Sequence, residues 1–437
     1  LSPRPTSPSP DLQRLLDDGY DFELSEGYLL VHHVPYVTAT SQVSYGTLVS
    51  TLDLSGGGVT VTPSTHVAMW IGEHPCHPDG TLMQQIAHSG PQQLTPTIYV
   101  GASFSSKPAA GYTDYHHKMT TYIEMIMAPA LAIDPAATAR IYPVQRDPES
   151  TGPFRYADTA TARAGLGMVS AKTTGGRVAV VGVGGTGSWV LDLLARCPVE
   201  EIHLFDDDRY LQHNAFRSPG PTSEEELAGA KFKVEVYARR WASMRTGVIA
   251  HPERLGEQHA ELLSQMDMVF VCVDTGDSRR EVTELLDRAG CEFIDVGMGL
   301  LLDEEQAQVL GQLRTTLSTP ATREQARQHM PLTGSAEDAV YAQNIQTAEL
   351  NALNAVLAVT RWKRARGFYT DLEHEISSTY IIDGNTIANT LPPAEAAARN
   401  LAEARPEAPA ATVDTPVDDG VNDTDITAAD DNSPSAA

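Results

Sequence analysis

Two textures of apolar patterning divide the chain. From Arg177 onward, short near-continuous apolar runs alternate with longer stretches of helical period, and the runs RVAVVGV, EIHLFDDD, DMVFVCVD and CEFIDVGMG each end in Asp or Gly. Runs of this kind mark strands buried on both faces, and their alternation with helices predicts an α/β region whose sheet is mainly parallel. Ligands of such sheets bind outside the carboxyl ends of the strands, where those Asp and Gly residues fall. YAQNIQTAELNALNAVLAVTRWKRARG reads as one long helix. Arg361, Lys363, Arg364 and Arg366 crowd its last turns, where cations suit the dipole, and Gly367 can take a left-handed cap. STYIIDGNTIA reads as a hairpin around Asp383 and Gly384.

The first third differs. GYLLVHHVPYV, TLVSTLDLS and THVAMWIGEH are β-like runs separated by Gly, Pro and Ser clusters, followed by a helix-like KMTTYIEMIMAPALA. This predicts a smaller α+β domain over 11–150, after a Pro- and Ser-rich lead-in at 1–10. The joint YPVQRDPESTGPF separates it from the α/β region at 151–391. From Leu391 the chain is Ala, Pro, Asp and Glu with almost no large apolar residue, which predicts a disordered acidic tail over 392–437.

Composition narrows the function classes. Length alone, 437 residues, implies two domains plus tails. The formal net charge of −26 opposes phosphate backbones and anionic membranes, so neither nucleic acid nor a membrane is the expected partner. No apolar run approaches the ~18 residues of a bilayer span, and no charged-then-apolar leader opens the chain, so a cytoplasmic protein is expected. Its first residue is Leu1, which suggests a trimmed sequence. Cys76, Cys197, Cys272 and Cys291 form no CxxC pair, so no disulfide framework or cysteine-only zinc site is signalled.

In GVGGTGS, Gly182, Gly184 and Gly187 keep the G-x-G-x-x-G spacing, and Gly185 adjoins them. Such a turn brings backbone close to a phosphate at the positive end of the following helix. Asp206 ends the next strand, 24 residues beyond Gly182, where an acid accepts hydrogen bonds from a ribose. These residues alone describe a Rossmann-like nucleotide site, and an NAD-dependent oxidoreductase fits them equally well. Asn214 and Arg217, with Lys231 and Lys233, shift the balance. Hydride transfer needs no set of fixed cations. Attack of a carboxylate on a phosphate does, because two anions must be pressed together and the transition state stabilised by preorganised charge. Asp274, at a strand end, suits a magnesium ion against phosphate oxygens, and Arg279 falls on the next helix.

GVGGTGS, Asp206-x7-Asn214-x2-Arg217, a following lysine and Asp274-x4-Arg279 together resemble the adenylating domain of the ThiF/MoeB/HesA group and of ubiquitin-activating enzymes. The resemblance implies a Rossmann-like adenylation domain that uses ATP and magnesium to adenylate the C-terminal glycine of a ubiquitin-like protein. It implies Asp206 on the ribose, Asn214 and Arg217 on the phosphates, Lys233 (in preference to Lys231) on the developing charge, and Asp274 on the metal. Over about Gly27 to Asn385 the chain looks like bacterial members with an extra N-terminal domain, encoded beside ubiquitin-like modifiers. That likeness implies modifier activation, a homodimer, Arg163 reaching a neighbouring subunit's site, and a conjugating-enzyme-like protein as a further partner. The zinc-binding cysteine pairs of the MoeB-type relatives are missing, and no cysteine-bearing loop follows the GMG segment. A non-catalytic scaffold of the same fold remains the third reading.

Bland readings stand beside these. Asp207 and Asp208 read as solvated neighbours of Asp206, and Cys272, Cys291 and Cys197 as packed apolar groups. Cys76 differs: GEHPCHPDG is a polar, Pro-rich turn flanked by His74 and His77, which could expose and activate a thiol, or form a capped turn or half of a metal site with His66 or His88.

Overall fold

The computed structural model describes residues 9–144, 152–333 and 345–392. The expected lead-in and acidic tail lie outside these residues except for Ser9, Pro10 and Pro392, and so does most of the joint, at 145–151.

A helix, Pro10–Asp17, opens the N-terminal part. Eight strands follow: β1 (Phe22–Ser25), β2 (Tyr28–Val37), β3 (Val43–Thr51), β4 (Val67–Ile71), β5 (Ala87–Ser89), β6 (Gln92–Gln93), β7 (Tyr99–Val100) and β8 (Ala102–Ser105). Six form a sheet in the order β1-β2-β3-β4-β8-β5, antiparallel throughout, and β6 pairs with β7. Alternation along β2 decides what each face meets. Leu29 and Val31 join the core that Met119, Tyr122 and Ile126 of the helix Tyr115–Ile133 complete, while Leu30 packs with Val49 and Met69 on the opposite face. The two histidines of GYLLVHHVPYV sit in a bulge, with His33 at φ 57°, which keeps both flanking apolar runs in register. One cation lies wholly inside this core. Lys118 donates to Ser50 Oγ and to the Thr65 carbonyl, both at 2.9 Å, and burial pushes its pKa down to about 8 against the opposing pull of Asp53.

The second part is built on β9 (Arg177–Val181), β10 (Glu201–Phe205), β11 (Val248–His251), β12 (Met268–Val271), β13 (Phe293–Asp303), β14 (Gln308–Ser318), β15 (Ser377–Ile381) and β16 (Thr386–Thr390). Their order is β11-β10-β9-β12-β13-β14-β15-β16, parallel as far as β13 and antiparallel beyond it. The expected mainly parallel α/β sheet and the hairpin around Asp383 and Gly384 are therefore present, the hairpin closing at Ile381↔Thr386. Val178 and Val180 face the helices Gly185–Leu194 and Ala348–Ala365, and Ala179 and Val181 face the helix Gly276–Ala289. Each central strand is thus covered on both sides, as its continuous apolar run requires. From β9 the chain moves outward to β10 and β11, then returns to β12 on the other side. That reversal opens a crevice at the carboxyl ends of β9, β10 and β12.

Three features depart from the expectation. The long helix begins at Ala348, with residues 345–347 non-helical and 341–344 outside the described residues. Its terminal arginines do more than suit a dipole. Arg361 pairs with Asp371 at 2.8 Å and Arg364 with the buried Glu375, so the helix end is tied to the loop leading into β15. Finally, β14 is a full partner of β13 that the apolar pattern did not reveal, because its first half is exposed.

Candidate functional site

The glycine turn has a physical division of labour. Gly182, at φ +85°, bends the chain out of β9 in a conformation that side chains rarely adopt. A Cβ on Gly187 would collide with the Gly182 carbonyl oxygen, so the first turn of the helix Gly185–Leu194 presses directly against the strand end. A Cβ on Gly185 would meet the Asn351 amide at 2.5 Å, whereas one on Gly184 would meet nothing within 4 Å. Gly184 thus borders open space at the amino end of the helix.

That space is a cavity of about 400 Å³ over the crevice. Gly182, Gly184, Gly185, Asp206, Arg217, Lys233, Asp274 and Arg279 all line it. Gly187, Asn214, Lys231 and Arg163 do not.

Asp206 directly follows β10, under the glycine turn. Its Oδ2 accepts from the Val183 N–H at 2.8 Å and its Oδ1 from the Asp208 N–H at 2.9 Å, so the carboxylate fixes the turn it faces. Burial raises its pKa, partly offset by Lys233 and these N–H donors. Lys233, the first residue of the helix Lys233–Trp241, is buried; Nζ lies 2.6 Å from Asp208 and 3.5 Å from Asp206. Lys231 is exposed. Asp208, expected to be merely solvated, is therefore a partner of Lys233, and Asp207 pairs with Arg254 at 2.9 Å. Side-chain oxygens of Asp206, Asp207 and Asp208 come within 4.8 Å of one another, but each carboxylate already has a cation beside it.

Asn214 lies on the short helix Gln212–Ala215 and Arg217 in the turn that follows it. Asn214 Oδ1 accepts from the Leu211 N–H at 2.8 Å, while its buried Nδ2 lacks a hydrogen-bond partner. The Arg217 carbonyl accepts from Trp189 Nε1 at 3.0 Å, and its buried Nε is likewise unsatisfied. No carboxylate pairs with Arg217 among the described residues. His213, also on the cavity wall, has its pKa lowered by burial and by the charges of Arg217 and Lys233.

Across the cavity, Asp274 precedes the helix Gly276–Ala289, whose cap Thr275 accepts from the Ser278 N–H at 3.2 Å. Arg279 lies on this helix. Nε donates to Asp295 at 2.7 Å and Nη2 to the Val273 carbonyl at 2.6 Å. Asp295, fully buried on β13, also receives Arg314 of β14. Neither Asp295 nor Arg314 was singled out from the sequence. The available signal was an acid inside the apolar run FIDVGMG. Gln346 and Asn351, near the start of the long helix, were missed as well. Asn351 accepts from Thr186 Oγ1 at 2.8 Å and so ties that helix to the glycine turn.

Arg163 is exposed and ion-paired with Asp17 of the first helix. Cys76 is not the exposed, activated thiol its polar surroundings allowed. It is fully buried among Val37, Ala130 and Ala137, its Sγ donates to the His74 carbonyl at 3.3 Å, and burial raises its pKa. Cys272, expected inside the core, is half-buried on the cavity floor, with its pKa also raised by desolvation. Cys197 and Cys291 are packed as expected.

Residues 166–359 match the model of the ThiF family, and residues 10–159 match a domain of unknown function, DUF6791. The chain is 26% identical over 132 residues to ubiquitin-like modifier-activating enzyme 5 of Branchiostoma floridae, a match covering 28% of this chain and 33% of that protein. It therefore spans about a third of the length of that relative. Similar solved structures include E. coli MccB with ATP, at 18% identity and a TM-score of 0.41, covering 54% of this chain and 72% of that one. MccB in complex with N-formylated MccA is 20% identical at a TM-score of 0.41, covering 51% and 67%. E. coli tRNA N6-threonylcarbamoyladenosine dehydratase, TcdA, is 18% identical at 0.35, covering 48% and 93%. The second part of the chain is a ThiF family domain.

Proposed function

We propose that the ThiF family domain binds ATP in the cavity and uses it to adenylate the C-terminal carboxylate of a ubiquitin-like protein, within a bacterial conjugation pathway. The supporting observation is the convergence of Arg217, Lys233 and Asp274 with the amino end of the Gly185–Leu194 helix around one space, with Arg217 held buried at Nε and unpaired by any carboxylate there. Arg217 is only half-buried, but an unsatisfied buried N–H on a cation with no carboxylate beside it suits an anionic ligand, and a polyphosphate is such a partner.

In this reading a carboxylate oxygen attacks the α-phosphorus, the bond from that phosphorus to the α,β-bridging oxygen breaks, and an acyl-adenylate and pyrophosphate, formed from the β- and γ-phosphates, result. The carboxylate is ionised at neutral pH, so no general base is needed. The helix end and Gly184 receive phosphate oxygens, Asp206 the ribose, and Arg217 and Lys233 offset charge that grows on the phosphorus oxygens. Lys233 begins paired with Asp208 and, at 3.5 Å, beside Asp206, and its three-proton ammonium can turn toward a ligand as well. Asp274 is the hard oxygen donor on the cavity wall that would hold magnesium, which would screen the phosphates. Asn214 acts from beneath: its Oδ1 shapes the segment that carries Arg217, and its unsatisfied Nδ2 is available to a phosphate if that segment closes.

The ubiquitin-like modifier-activating enzyme among the relatives is in keeping with this assignment, and the same proposal includes a homodimer, a conjugating-enzyme-like partner and a cytoplasmic setting. The test is exchange of radiolabelled pyrophosphate into ATP with candidate ubiquitin-fold proteins. Exchange that requires such a protein, and that falls at least a hundredfold in Arg217→Ala and Asp274→Ala, supports the reading. Reduction of a nicotinamide without exchange would replace it with the oxidoreductase, and ATP binding without exchange with the scaffold.

A further inference from the structure

Beneath the cavity lies a charge cluster that the proposed chemistry does not use directly. Asp295 has no solvent exposure, and its two oxygens face two arginines: Oδ1 receives Arg279 Nε at 2.7 Å and Oδ2 receives Arg314. Arg314 is anchored in turn by the His329 carbonyl and crowded by Gly297, where a Cβ would approach its Nη2 to 2.8 Å. Its pKa is lowered by burial against the pull of Asp295. Two guanidiniums share this one carboxylate, so the three side chains together carry one net positive charge. Arg314, on β14, is not among the residues lining the cavity, whereas Arg279 is.

The arrangement restrains Arg279 more than an ordinary ion pair would. Nε is spent on Asp295 and Nη2 on the carbonyl of Val273, at 2.6 Å, leaving Nη1 as the donor for the cavity. The Val273 carbonyl belongs to the residue immediately before Asp274. One planar fork therefore sets both its own position and that of the segment bearing the neighbouring acid. Lysine has no such fork.

We propose that Asp295, locked by Arg314, is a positioning residue that holds Arg279 as a fixed cation for the outer phosphates of a nucleoside triphosphate, so that the cavity distinguishes triphosphate from monophosphate. This rests on nucleotide binding in the cavity and goes beyond it by assigning the polyphosphate end to Arg279. The glycine turn and Asp206 lie with β9 and β10, and Arg279 with the helix after β12, so the two ends of one ligand meet different elements.

The experiment is calorimetric titration of the full-length protein with ATP and, separately, AMP. Wild-type protein is expected to prefer ATP. Asp295→Asn, close in volume and without charge, is expected to weaken ATP at least tenfold while AMP changes less than twofold. Arg279→Gln should do the same, and the double variant should be no worse than either single one, because both remove one device. Arg279→Lys keeps the charge in a chain whose Asp295 is untouched, and it covers the case in which Asp295→Asn does not fold. It should lose ATP preference nearly as fully as Arg279→Gln. Retained preference in Arg279→Lys, parallel loss of ATP and AMP, or additive losses in the double variant would overturn the assignment while leaving nucleotide binding intact. Absence of ATP binding to the wild-type protein would overturn this inference together with the proposed function.

Discussion

At the scale of single residues, the clearest constraint is Gly187. No rotamer choice relieves a Cβ aimed at the backbone oxygen of Gly182, so either the strand end or the helix must move. Gly187→Ala is expected to cost at least about 2 kcal/mol, seen as a lower midpoint in urea, and to abolish nucleotide binding in whatever fraction remains folded. Cys76 gives the opposite prediction. Its thiol is enclosed by Val37 and Ala137, and burial holds it in the neutral form. Cys76→Ala should therefore leave pyrophosphate exchange unchanged and cost about 1 kcal/mol for the small void. Loss of a covalent modifier adduct in that variant, with folding retained, would restore the reactive-thiol reading. The motif GEHPCHPDG looked reactive because its polar neighbours are local in sequence. What buries the thiol comes from β2 and from the end of a helix more than fifty residues away.

Among elements, the edge pair β10 and β11 carries a stack of imidazoles beside the cavity. His251 lies flat on Phe205, with ring centroids 4.3 Å apart, and its Nε2 is 3.0 Å from His203 Nδ1. Glu201 is 3.2 Å from His203 Nε2 and also pairs with Arg177 at 2.7 Å, while His259 meets Phe205 edge-on and lies 3.5 Å from Glu253. With Glu201 ionised, His203 donates to it through Nε2 and accepts from His251 through Nδ1. Both rings are then neutral. Burial lowers the pKa of His203 and His251 alike. The unfolded chain, titrating near ~6.5, takes up protons first as pH falls, so the stability contributed is fully present above that value and is lost below it. Chemical denaturation midpoints should fall between pH 7.5 and pH 5.5, and His203→Asn should flatten that slope; an unchanged slope would exclude the pair as its source. This stack was not legible in the sequence, because the histidines come from three elements. The parallel strands were, since burial on both faces forces continuous apolar runs. The exposed half of β14 carried no such mark, and neither did Arg314, whose role depends on the antiparallel register with β13. Asp206 and Asp274 were anticipated on the cavity wall because each sits just after a strand end, where topology concentrates side chains, whereas Arg217 and Lys233 were anticipated from their charge and their spacing after Asp206. Asn214 matched the same pattern yet lies beneath the wall rather than on it.

At the scale of the whole molecule, the cation to follow is Arg163, exposed and held by an ion pair to Asp17. Among the described residues no helix is long and apolar enough to cross a membrane, and the two parts of the chain meet at an ion pair between Arg163 and Asp17. Both side chains are largely exposed, so this pair contributes little to stability and is easily exchanged for another anion. The helices Thr159–Arg163 and Gly167–Ser170 bury no residue, and Met168 is 88% exposed. An arm with no buried side chain is free to reorient, and a phosphate in a second subunit would compete well with a solvated carboxylate. If Arg163 serves a neighbouring site in a twofold dimer, Arg163→Ala and Lys233→Ala should each be inactive alone yet complement one another when mixed and allowed to exchange subunits. Each hybrid dimer would own one site with both residues intact, so exchange activity should recover to about a quarter of wild type. If Arg163 acts within its own chain or not at all, mixing restores nothing beyond the sum of the separate variants. Asp17→Asn separates those two cases: freeing Arg163 should raise the recovered activity only if the ion pair and the neighbouring site draw on the same guanidinium.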